Sequence, residues 1–439
     1  MAGARPHPFA DRRRRRQPRI PAPRTKDDDL RVTIESLGAK GDGTARTPAG
    51  PVFLPFTLPG EVAEIDAAAE GGAHPAYALV EEAPDRRAPA CPHFGQCGGC
   101  DLQHANEELY RAFKRELVVS ALERAGVGAE VAPLVACPPR SRRRVTLTAV
   151  RAGNRVLLGY NAARSNRVVA IETCPIALPA IEAALPFLQK LAGILIDRKR
   201  PLKLLVTATT AGLDVSATDA SRLSDKARQQ AIGLTLEAGI ARLAVDGEIL
   251  VKARPPLVDF AGVAVEPPPG AFLQAVESAE TAMAELVLSH LSGAKRVVDY
   301  FSGCGTFSLR LARHAAVHAV ESEAAALEAQ DAAHRRSTGL KPLSSERRDL
   351  ARRPVPAKEM KRFDGIVFDP PRAGAEGLSR EIAGSGVPRV AAVSCNPVTL
   401  ARDIRILVDG GYRLLGVTPI DQFLWSHHVE AVALLTRDR

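Results

Sequence analysis

The stretch VVDYFSGCGTFSLRL, residues 297–311, decides the fold of this chain. The run VVDYF predicts a buried strand, because it is short, mostly apolar and bounded by a glycine-containing loop. The loop SGCGTF brings Gly303 and Gly305, and a helix-like run continues through Leu311. In a parallel α/β sheet such a loop lies at the carboxyl end of its strand, where glycines let the backbone approach a ligand closely. The stretch therefore predicts a ligand site at the end of this strand.

The same pattern continues towards the C-terminus. Helix-like segments alternate with the strand-like runs VHAVE, FDGIVFDPPR, VPRVAAVSC and VEAVALLTR. This alternation favours a parallel sheet covered by helices. Glu321 ends the run VHAVE, sixteen residues after Gly305, where a carboxylate can accept hydrogen bonds from both hydroxyls of a ribose.

A single cysteine ends the strand-like run VPRVAAVSC. Cys395 lies within SCNPVTLARD, residues 394–403, just before Asn396 and Pro397 interrupt the strand and a helix-like run begins. Sheets of this class place ligands and reactive side chains at the carboxyl ends of strands. A cysteine thiolate is also an effective nucleophile, so Cys395 is a candidate nucleophile.

Length and composition indicate two or three globular domains. The chain has 439 residues, of which 46% are hydrophobic and 25% charged, and this is too long for one ordinary domain. The sequence contains neither an apolar run of about 18 residues nor the apolar segment of a signal peptide. Seven cysteines, an odd number, suit a reducing compartment. We expect a cytoplasmic protein that does not enter a membrane.

Basic charge is concentrated near the N-terminus. Residues 1–29 hold nine basic and four acidic side chains and contribute +5 to the total of +9. They predict a disordered tail that attracts phosphates without sequence preference, with a merely solubilising tail as the alternative. A second basic run, Arg140 with Arg142 to Arg144, leads into a strand. It predicts either a phosphate clamp or solvated surface charge.

Two further regions precede the α/β pattern. Residues 30–84 contain short alternating runs separated by glycine-rich turns, which predict a small β-barrel. Residues 85–266 mix helix-like and strand-like runs and include three clustered cysteines in CPHFGQCGGC.

The clustered cysteines predict a metal site. Tight turns at the neighbouring glycines and proline can point Cys91, Cys97 and Cys100 at one centre, and four soft ligands select zinc or an iron–sulfur cluster. The fourth ligand must come from elsewhere, and Cys174 is followed by proline, as the last ligand of a ferredoxin is. The residues alone leave a structural zinc ion and a cluster both open.

Three motifs near the C-terminus together resemble those of a known family. SCNPVTLARD is joined by DPPR at 369–372 and HHVE at 427–430. With them the chain resembles the RNA 5-methyluridine methyltransferases, S-adenosylmethionine-dependent enzymes that methylate uracil at C5. DPPR with SCNP distinguishes this chemistry from methylation of exocyclic nitrogens, which a loop of the NPPY type serves.

The resemblance implies a fold and a domain order. The fold is α/β, with a class I (Rossmann-like) methyltransferase domain, an N-terminal OB-like β-barrel of the TRAM type and a mixed α+β central domain. The implied boundaries are a disordered basic tail at 1–29, the TRAM-like barrel at 30–84, the central domain at 85–266 and the methyltransferase domain at 267–439.

The resemblance also implies two cofactors. Family members with a [4Fe-4S] cluster carry three clustered cysteines and a distant one, which assigns the cluster to Cys91, Cys97, Cys100 and Cys174. Contacts with S-adenosylmethionine are implied for Gln274, Phe301, Thr306, Glu321, Asp349 and Asp369. This cofactor has no phosphate, in agreement with the lack of a full GxGxxG pattern. The chain departs from the family in FLQAV, where Val276 replaces Asn, and in FSGCGTF, where FCGxGxF is usual.

The implied mechanism is nucleophilic. C5 of uracil is a poor nucleophile towards a sulfonium methyl group, so its electron density must first be raised. The Cys395 thiolate adds to C6, and the resulting enolate takes the methyl group. Glu430 then removes the C5 proton as general base, and elimination releases the cysteine. Asp369 can orient either the N3 hydrogen of the pyrimidine or the cofactor.

The domain content favours RNA as the partner and 23S rRNA as the substrate, because a TRAM-like barrel and a cluster motif are typical of the ribosomal-RNA branch. Transfer RNA is the alternative, since some relatives with both features act on tRNA. An inactive iron–sulfur RNA-binding protein is a second hypothesis, which the retained site residues disfavour. A radical enzyme is a third and predicts dependence on a reductant, although the cysteine spacing departs from CxxxCxxC. No obligate protein partner is indicated.

Overall fold

The structure is a computed structural model that describes residues 29–66, 71–72, 74–197 and 199–438. Of the predicted basic tail, only Asp29 falls within these ranges, and it opens the first strand. Residues 1–28 lie outside the described residues. The described chain divides into two compact units, residues 29–36 with 43–83 and residues 37–42 with 84–438. In these ranges no helix combines the length and apolar character needed to cross a membrane.

The first region consists of short strands. They are β1 Asp29–Thr33, β2 Ser36–Leu37, β3 Gly43–Thr47, β4 Gly50–Leu54, β5 Val62–Asp66 and β6 Tyr77–Glu81. β5 pairs antiparallel with β1 and β6, and β3 pairs antiparallel with β4. Buried and more exposed residues alternate along β3 and β5, so one face of each strand packs inward. The small core consists of Val32, Ile34, Ala45, Val52, Leu54, Ala63 and Ile65.

The central region contains a mixed seven-stranded sheet. Its elements are α1 Glu107–Arg124, β7 Arg144–Ala152, β8 Arg155–Asn161, β9 Val168–Ala170, α2 Pro179–Ala183, α3 Leu185–Leu195, β10 Leu202–Thr209, β11 Gly212–Thr218, α4 Asp225–Glu237, β12 Arg242–Val245 and β13 Glu248–Lys252. The strand order is β13-β12-β11-β10-β7-β8-β9, and β11 and β12 run parallel while the other neighbours are antiparallel. A two-stranded pair follows, β14 Val258–Asp259 and β15 Ala264–Val265.

A second seven-stranded sheet carries the predicted catalytic motifs. Its elements are α5 Glu277–His290, β16 Arg296–Tyr300, α6 Ser308–Leu311, β17 Ala316–Glu321, α7 Ala324–Arg336, β18 Leu343–Arg347, α8 Ala357–Met360, β19 Gly365–Phe368, α9 Glu376–Ser385, β20 Arg389–Ser394, α10 Pro397–Asp409, β21 Arg413–Ile420 and β22 Glu430–Thr436.

The strand order of this sheet is β18-β17-β16-β19-β20-β22-β21. The five strands β16 to β20 run parallel to one another, and β22 is antiparallel to β20 and β21. The order along the chain reverses between β16 and β19, which makes this the topological switch point where such sheets bind ligands. The loops after β16, β19 and β20 all open at the same edge. Because β22 runs the other way, its first residue, Glu430, lies at that edge too.

Helix α1 belongs to the core of this second sheet, although the sequence places it in the central domain. Its first turn is capped by Asn106, whose side-chain oxygen accepts the N–H of Leu109 at 2.8 Å. Val118, Ala121 and Leu122 are buried in one apolar cluster with residues of β20, α10 and β21. The two sheets therefore form one compact unit.

Candidate active site

The glycine loop after β16 is backbone-strained and open on one side. Phe301, Gly303 and Gly305 have φ values of 62°, 54° and 98°, a region that favours glycine. A Cβ atom on Gly305 would lie 2.9 Å from the side chain of Leu309, whereas one on Gly303 would meet nothing within 4 Å. The loop is held at its start because Phe301 donates its N–H to the carbonyl of Val320 at 2.9 Å. Space for a ligand therefore remains beside Gly303.

Glu321 faces this loop from the end of β17. Its Oε2 accepts the N–H of Gly303 at 3.1 Å. Its Oε1 accepts the N–H groups of Ser322 at 2.6 Å and Glu323 at 3.0 Å. The half-buried carboxylate is thus fixed beside the open side of the loop, in the position predicted for an acceptor of ribose hydroxyls.

The other predicted cofactor residues lie around the same edge. Thr306 follows the glycines, and its carbonyl accepts a hydrogen bond from Arg310 at 2.8 Å. Asp349 comes two residues after β18 ends at Arg347. Its Oδ1 accepts the N–H groups of Ala351 and Arg352 at 3.1 and 3.2 Å and caps the turn that follows.

Asp299 is a buried carboxyl beneath the loop that sequence reasoning missed. Its Oδ2 accepts the hydroxyl of Ser308 at 2.6 Å, and its Oδ1 has no hydrogen-bond partner within the described part of the chain. Burial raises the pKa of Asp299 to about 7. Asp299 could have been singled out from the sequence, because it is a charged residue within the mostly apolar run VVDYF and a buried carboxyl needs a hydrogen-bond partner.

Four side chains form a hydrogen-bonded row at the switch point. Nε2 of Gln274 donates to Oδ2 of Asp369 at 2.8 Å. Nε2 of Gln422 donates to Oε1 of Gln274 at 2.7 Å and to Oε1 of Glu430 at 2.6 Å. Oε1 of Gln422 accepts the N–H of Ala275 at 2.9 Å. Gln422, which was not predicted, therefore joins Gln274 to Glu430, and Asp369 is joined to the row through Gln274.

The two carboxyls of this row disfavour each other's ionisation. Glu430 is 3% exposed, and burial, assisted by the negative charge of Asp369, raises its pKa above the ordinary value. Burial also raises the pKa of Asp369, while the hydrogen bond from Gln274 opposes that rise. Oε2 of Glu430 has no hydrogen-bond partner among the described residues. The row therefore contains a buried carboxyl with a free oxygen, and its raised pKa makes the ionised form a stronger base than an ordinary carboxylate.

Cys395 lies between β20 and α10, beside these carboxyls. Asn396 caps α10, since its Oδ1 accepts the N–H of Val398 at 3.1 Å. Burial, together with the charges of Glu430 and Asp369, raises the pKa of the half-buried Cys395 thiol to about 11. The thiol is thus protonated in the free protein at neutral pH.

The DPPR loop is fastened to the SCNP segment. The carbonyl of Arg372 accepts hydrogen bonds from Nδ2 of Asn396 at 2.9 Å and from Oγ1 of Thr399 at 3.3 Å. Oδ2 of Asp403, on α10, accepts the N–H of Ala375 at 2.7 Å. The loops that carry Asp369 and Cys395 are therefore positioned as one structure.

A buried ion network joins two of the predicted cofactor segments. Glu280 on α5 accepts Arg143 Nη2 at 2.6 Å and Arg310 Nη2 at 2.8 Å. Arg143 Nε also donates to the carbonyl of Gln274 at 3.1 Å, and Arg310 donates to the carbonyl of Thr306. The network fixes the GAFLQ segment relative to the glycine loop.

The arginines of the basic run at 140–144 have different surroundings. Arg143 is buried in the ion network, because its guanidinium lies between Glu280 and the Gln274 backbone. Arg144 lies 5.5 Å from the ring centre of Phe272, and its Nε has no hydrogen-bond partner in the described ranges. Phe272 is 66% exposed, so this pair presents an aromatic face and a cation close to Gln274.

One cavity of about 350 Å³ is lined by all four predicted metal ligands, which are Cys91, Cys97, Cys100 and Cys174. Burial raises the pKa of Cys91 and Cys97, and raises that of Cys100 to about 12. Within the described residues, no three Cys, His, Asp or Glu side chains are placed to hold a single metal ion. The cavity nevertheless collects four soft donors, the set that an iron–sulfur cluster uses.

Comparison with known proteins gives consistent matches. The family profile described as tRNA (Uracil-5-)-methyltransferase matches residues 213–438, and that of the TRAM domain matches residues 23–67. The chain is 53% identical over 409 residues to an uncharacterized RNA methyltransferase of Mesorhizobium japonicum, which covers 93% of this chain and 98% of that protein. It is 35% identical over 427 residues to the 23S rRNA (uracil(1939)-C(5))-methyltransferase RlmD of Edwardsiella ictaluri, covering 92% and 95% of the two chains.

The fold is similar to a crystal structure of Pyrococcus abyssi tRNA (uracil-54, C5)-methyltransferase in complex with S-adenosyl-L-homocysteine. The TM-score is 0.72 at 22% sequence identity, and the match covers 93% of this chain and 99% of that one. Together with the TRAM match, this similarity confirms the predicted fold class.

Proposed function

We propose that this chain, which belongs to the RNA (uracil-5-)-methyltransferase family, methylates C5 of uracil in 23S rRNA through covalent catalysis by Cys395. Membership of the family makes it an S-adenosylmethionine-dependent enzyme that acts on uracil in RNA. The choice of RNA and the roles of individual residues are the proposal.

One observation carries the proposed mechanism. Cys395 lies close enough to Glu430 and Asp369 for their charges to act on its thiol, and the row through Gln274 and Gln422 connects these two carboxyls. A nucleophile, a proton acceptor and amide groups that can orient a pyrimidine thus share one edge of the sheet. Covalent addition followed by proton removal needs this combination.

The residues divide the reaction into easier steps. The Cys395 thiol gives its proton to solvent, and the sulfur of the resulting thiolate adds to C6 of uracil, which moves electron density to C5 and the C4 oxygen. S-adenosylmethionine, when bound, supplies the methyl group that C5 takes. Glu430 then accepts the C5 proton, and the electrons of that C–H bond re-form the C5–C6 double bond as the sulfur leaves. Asp369 and Gln274 hold the uracil ring in place by hydrogen bonds.

We assign cofactor binding to Gln274, Phe301, Thr306, Glu321, Asp349 and Asp369. The open space beside Gly303 and the fixed carboxylate of Glu321 support a nucleoside at the glycine loop. Oδ1 of Asp349 accepts two N–H groups of its own turn, and Oδ2 pairs with Nε of the exposed Arg352 at 3.4 Å. A contact between the adenine amino group and Oδ2 therefore requires this exposed Arg352 side chain to share Oδ2 or move away.

We assign a [4Fe-4S] cluster to Cys91, Cys97, Cys100 and Cys174, because four thiols line one cavity. Anaerobically purified protein is expected to be brown and to contain iron and sulfide. Replacing Cys97 or Cys100 with Ser should remove the colour. A colourless protein with stoichiometric zinc would contradict this assignment.

The Edwardsiella relative, named for 23S rRNA at 35% identity, favours that substrate. Phe272 and Arg144 suit single-stranded RNA, because an exposed ring can stack on a base and a nearby guanidinium can hold a phosphate.

The seven free thiols support a reducing, cytoplasmic location.

The proposal is tested by incubating the protein with methyl-labelled S-adenosylmethionine and either 23S rRNA or tRNA transcripts. Label is expected in 23S rRNA with wild-type protein and absent with Cys395→Ala, which should retain cofactor binding. Label in tRNA alone would overturn the choice of RNA. Label in neither would favour an RNA-binding protein without activity, and turnover by Cys395→Ala would overturn the mechanism.

A further inference from the structure

We propose that the cysteine site holds the catalytic row in position through two joints, at Asp101 and Arg142. The inference rests on the proposed function, because it concerns the placement of Glu430. The connecting element is the segment 421–428, which contains Gln422 and leads directly to Glu430 at the start of β22.

The segment 421–428 forms part of the wall of the cysteine cavity. The residues that it contributes are Phe423, Leu424, Ser426, His427 and His428. The four cysteines line the same cavity. Packed protein interiors transmit displacements between neighbouring groups, so whatever fixes the cysteines also limits where this segment can lie.

The first joint is Asp101, the residue after Cys100. Its Oδ2 lies 2.7 Å from Nδ1 of His427 and accepts the backbone N–H of the same residue at 3.1 Å. The N–H of Asp101 donates to the carbonyl of Trp425 at 2.7 Å. A shift of Cys100 therefore acts directly on residues 425–427.

The second joint is Arg142, which reaches the segment from the side of Cys174. Its N–H donates to the carbonyl of Ile176, two residues after that cysteine, at 2.9 Å. Its Nη1 donates to the carbonyl of Gln422 at 3.2 Å, and the guanidinium lies 5.5 Å from the ring centre of Phe423. Arg142 thus connects the Cys174 segment with the backbone of Gln422.

Charge supports the second joint. The Arg142 side chain lines the same cavity as Cys174 and Cys100. Cysteines that bind a metal do so as thiolates, so an occupied site attracts this guanidinium. The attraction keeps the side chain within reach of Gln422.

The position of Gln422 matters because its amide nitrogen is the donor shared by Gln274 and Glu430. The segment is also held by Lys114 and Tyr110, which contact Asp421 at 3.0 and 2.5 Å. Lys114 donates to the carbonyls of Phe423 and His428 as well, and the Tyr110 hydroxyl accepts the N–H of Trp425 at 2.8 Å. Those contacts do not involve the cysteines. Emptying the cysteine site is therefore expected to loosen residues 422–430 without unfolding the sheet.

Hydrogen–deuterium exchange of the full-length protein tests the proposal, read by mass spectrometry of peptides that cover residues 421–430. The samples are iron-loaded wild type, wild type stripped of iron without oxygen, and iron-loaded Arg142→Met. We expect the second and third to exchange at least about threefold faster than the first. The β10–β11 hairpin, residues 202–218, serves as an internal reference and should change by less than about twofold.

Arg151→Met is the matched control. Arg151 lies on β7, which begins two residues after Arg142, and it is exposed, with its guanidinium donating to the carbonyl of Gly193 at 3.2 Å. Loaded Arg151→Met should exchange as loaded wild type does. Equal exchange of residues 421–430 in loaded wild type, stripped wild type and Arg142→Met would overturn the proposal.

A second variant covers the case in which Arg142→Met does not retain iron. Asp101→Ala keeps all four cysteines and removes both side-chain contacts of the first joint with His427, so faster exchange at full iron content supports the proposal and unchanged exchange contradicts it. Failure of the proposed function is a separate result. If no RNA accepts label, the exchange comparison between loaded and stripped protein still decides whether the two sites are connected.

Discussion

The amide nitrogen of Gln422 lies 2.6 Å from Oε1 of Glu430, and this contact determines which oxygen of the carboxylate can take a proton. The same nitrogen donates to Gln274, and the amide oxygen accepts the N–H of Ala275. Turning the Gln422 amide round would break these bonds. Oε1 of Glu430 therefore keeps its hydrogen bond from Gln422. Oε2, buried and without a hydrogen-bond partner in the described ranges, is the oxygen left for the proton from C5.

Replacing Glu430 with Gln is expected to stop proton removal but not methyl transfer. Gln has nearly the same shape but cannot serve as the base, and losing a general base costs about 10² to 10⁴ in rate. The methylated adduct on Cys395 should therefore accumulate as a labelled protein–RNA band on a denaturing gel. Adding Cys395→Ala should abolish the band. Release of labelled RNA by Glu430→Gln at the wild-type rate would show that another group is the base.

The buried carboxyl of Glu430 should make stability depend on pH. Its pKa is raised above the ordinary value of 4.5. A carboxyl with a higher pKa in the folded state contributes stability below its unfolded pKa and loses it as pH rises through the folded pKa. Between about pH 5 and about pH 9, we expect the free energy of unfolding of the wild type to fall by on the order of 1 kcal/mol more than that of Glu430→Gln. Urea titrations at both pH values measure this difference, and equal losses would contradict it.

Replacing Gln422 with Leu should reduce both stability and kcat. The change leaves the N–H of Ala275 without its acceptor and Glu430 without its donor, at a cost of about 1–3 kcal/mol in the free energy of unfolding. Gln189→Leu is the control, because its side chain makes one exposed hydrogen bond, to the carbonyl of Val156, and should cost less than about 0.5 kcal/mol. Urea unfolding and single-turnover rates measure the two effects. A stable but inactive Gln422→Leu would assign Gln422 to positioning alone.

Replacing Glu280 with Ala should destabilise the protein by about 3–5 kcal/mol, because two buried guanidinium groups lose their shared carboxylate. Cofactor binding should weaken as well, since Arg143 and Arg310 hold the backbones of Gln274 and Thr306. Glu107→Ala removes an exposed ion pair with Arg111 and should cost less than about 0.5 kcal/mol. Calorimetric unfolding and titration with S-adenosyl-L-homocysteine measure both effects. Equal destabilisation by the two variants would contradict the proposed importance of the network.

The placement of Cys395, Asp369 and Glu321 was predictable, because parallel strands end at one edge of a sheet and each residue stands at the end of an apolar run. Glu430 was found through the family motif. Its location at the start of an antiparallel strand depends on sheet topology, which apolar periodicity does not reveal.

Gln422 and Arg143 show where local pattern is insufficient. Gln422 is polar and lies just after β21 ends at Ile420, so its sequence context does not predict that it is buried. Two of its partners, Gln274 and Ala275, come from a segment 148 and 147 residues earlier. Arg143 stands in a basic run typical of an RNA surface, yet its partner Glu280 lies 137 positions away. Contacts of this range are determined by how the two sheets pack together.

Helix α1 has a consequence for how the chain can be divided. The family profile begins at residue 213, well after this helix ends, yet Val118, Ala121 and Leu122 fill the core beside α10. A fragment excised at residue 213 or 267 would leave that apolar face of the sheet bare and should aggregate rather than work as an autonomous module. The methyltransferase domain therefore cannot be transferred between proteins on its own. Part of its core comes from the stretch of chain that also carries the cysteines.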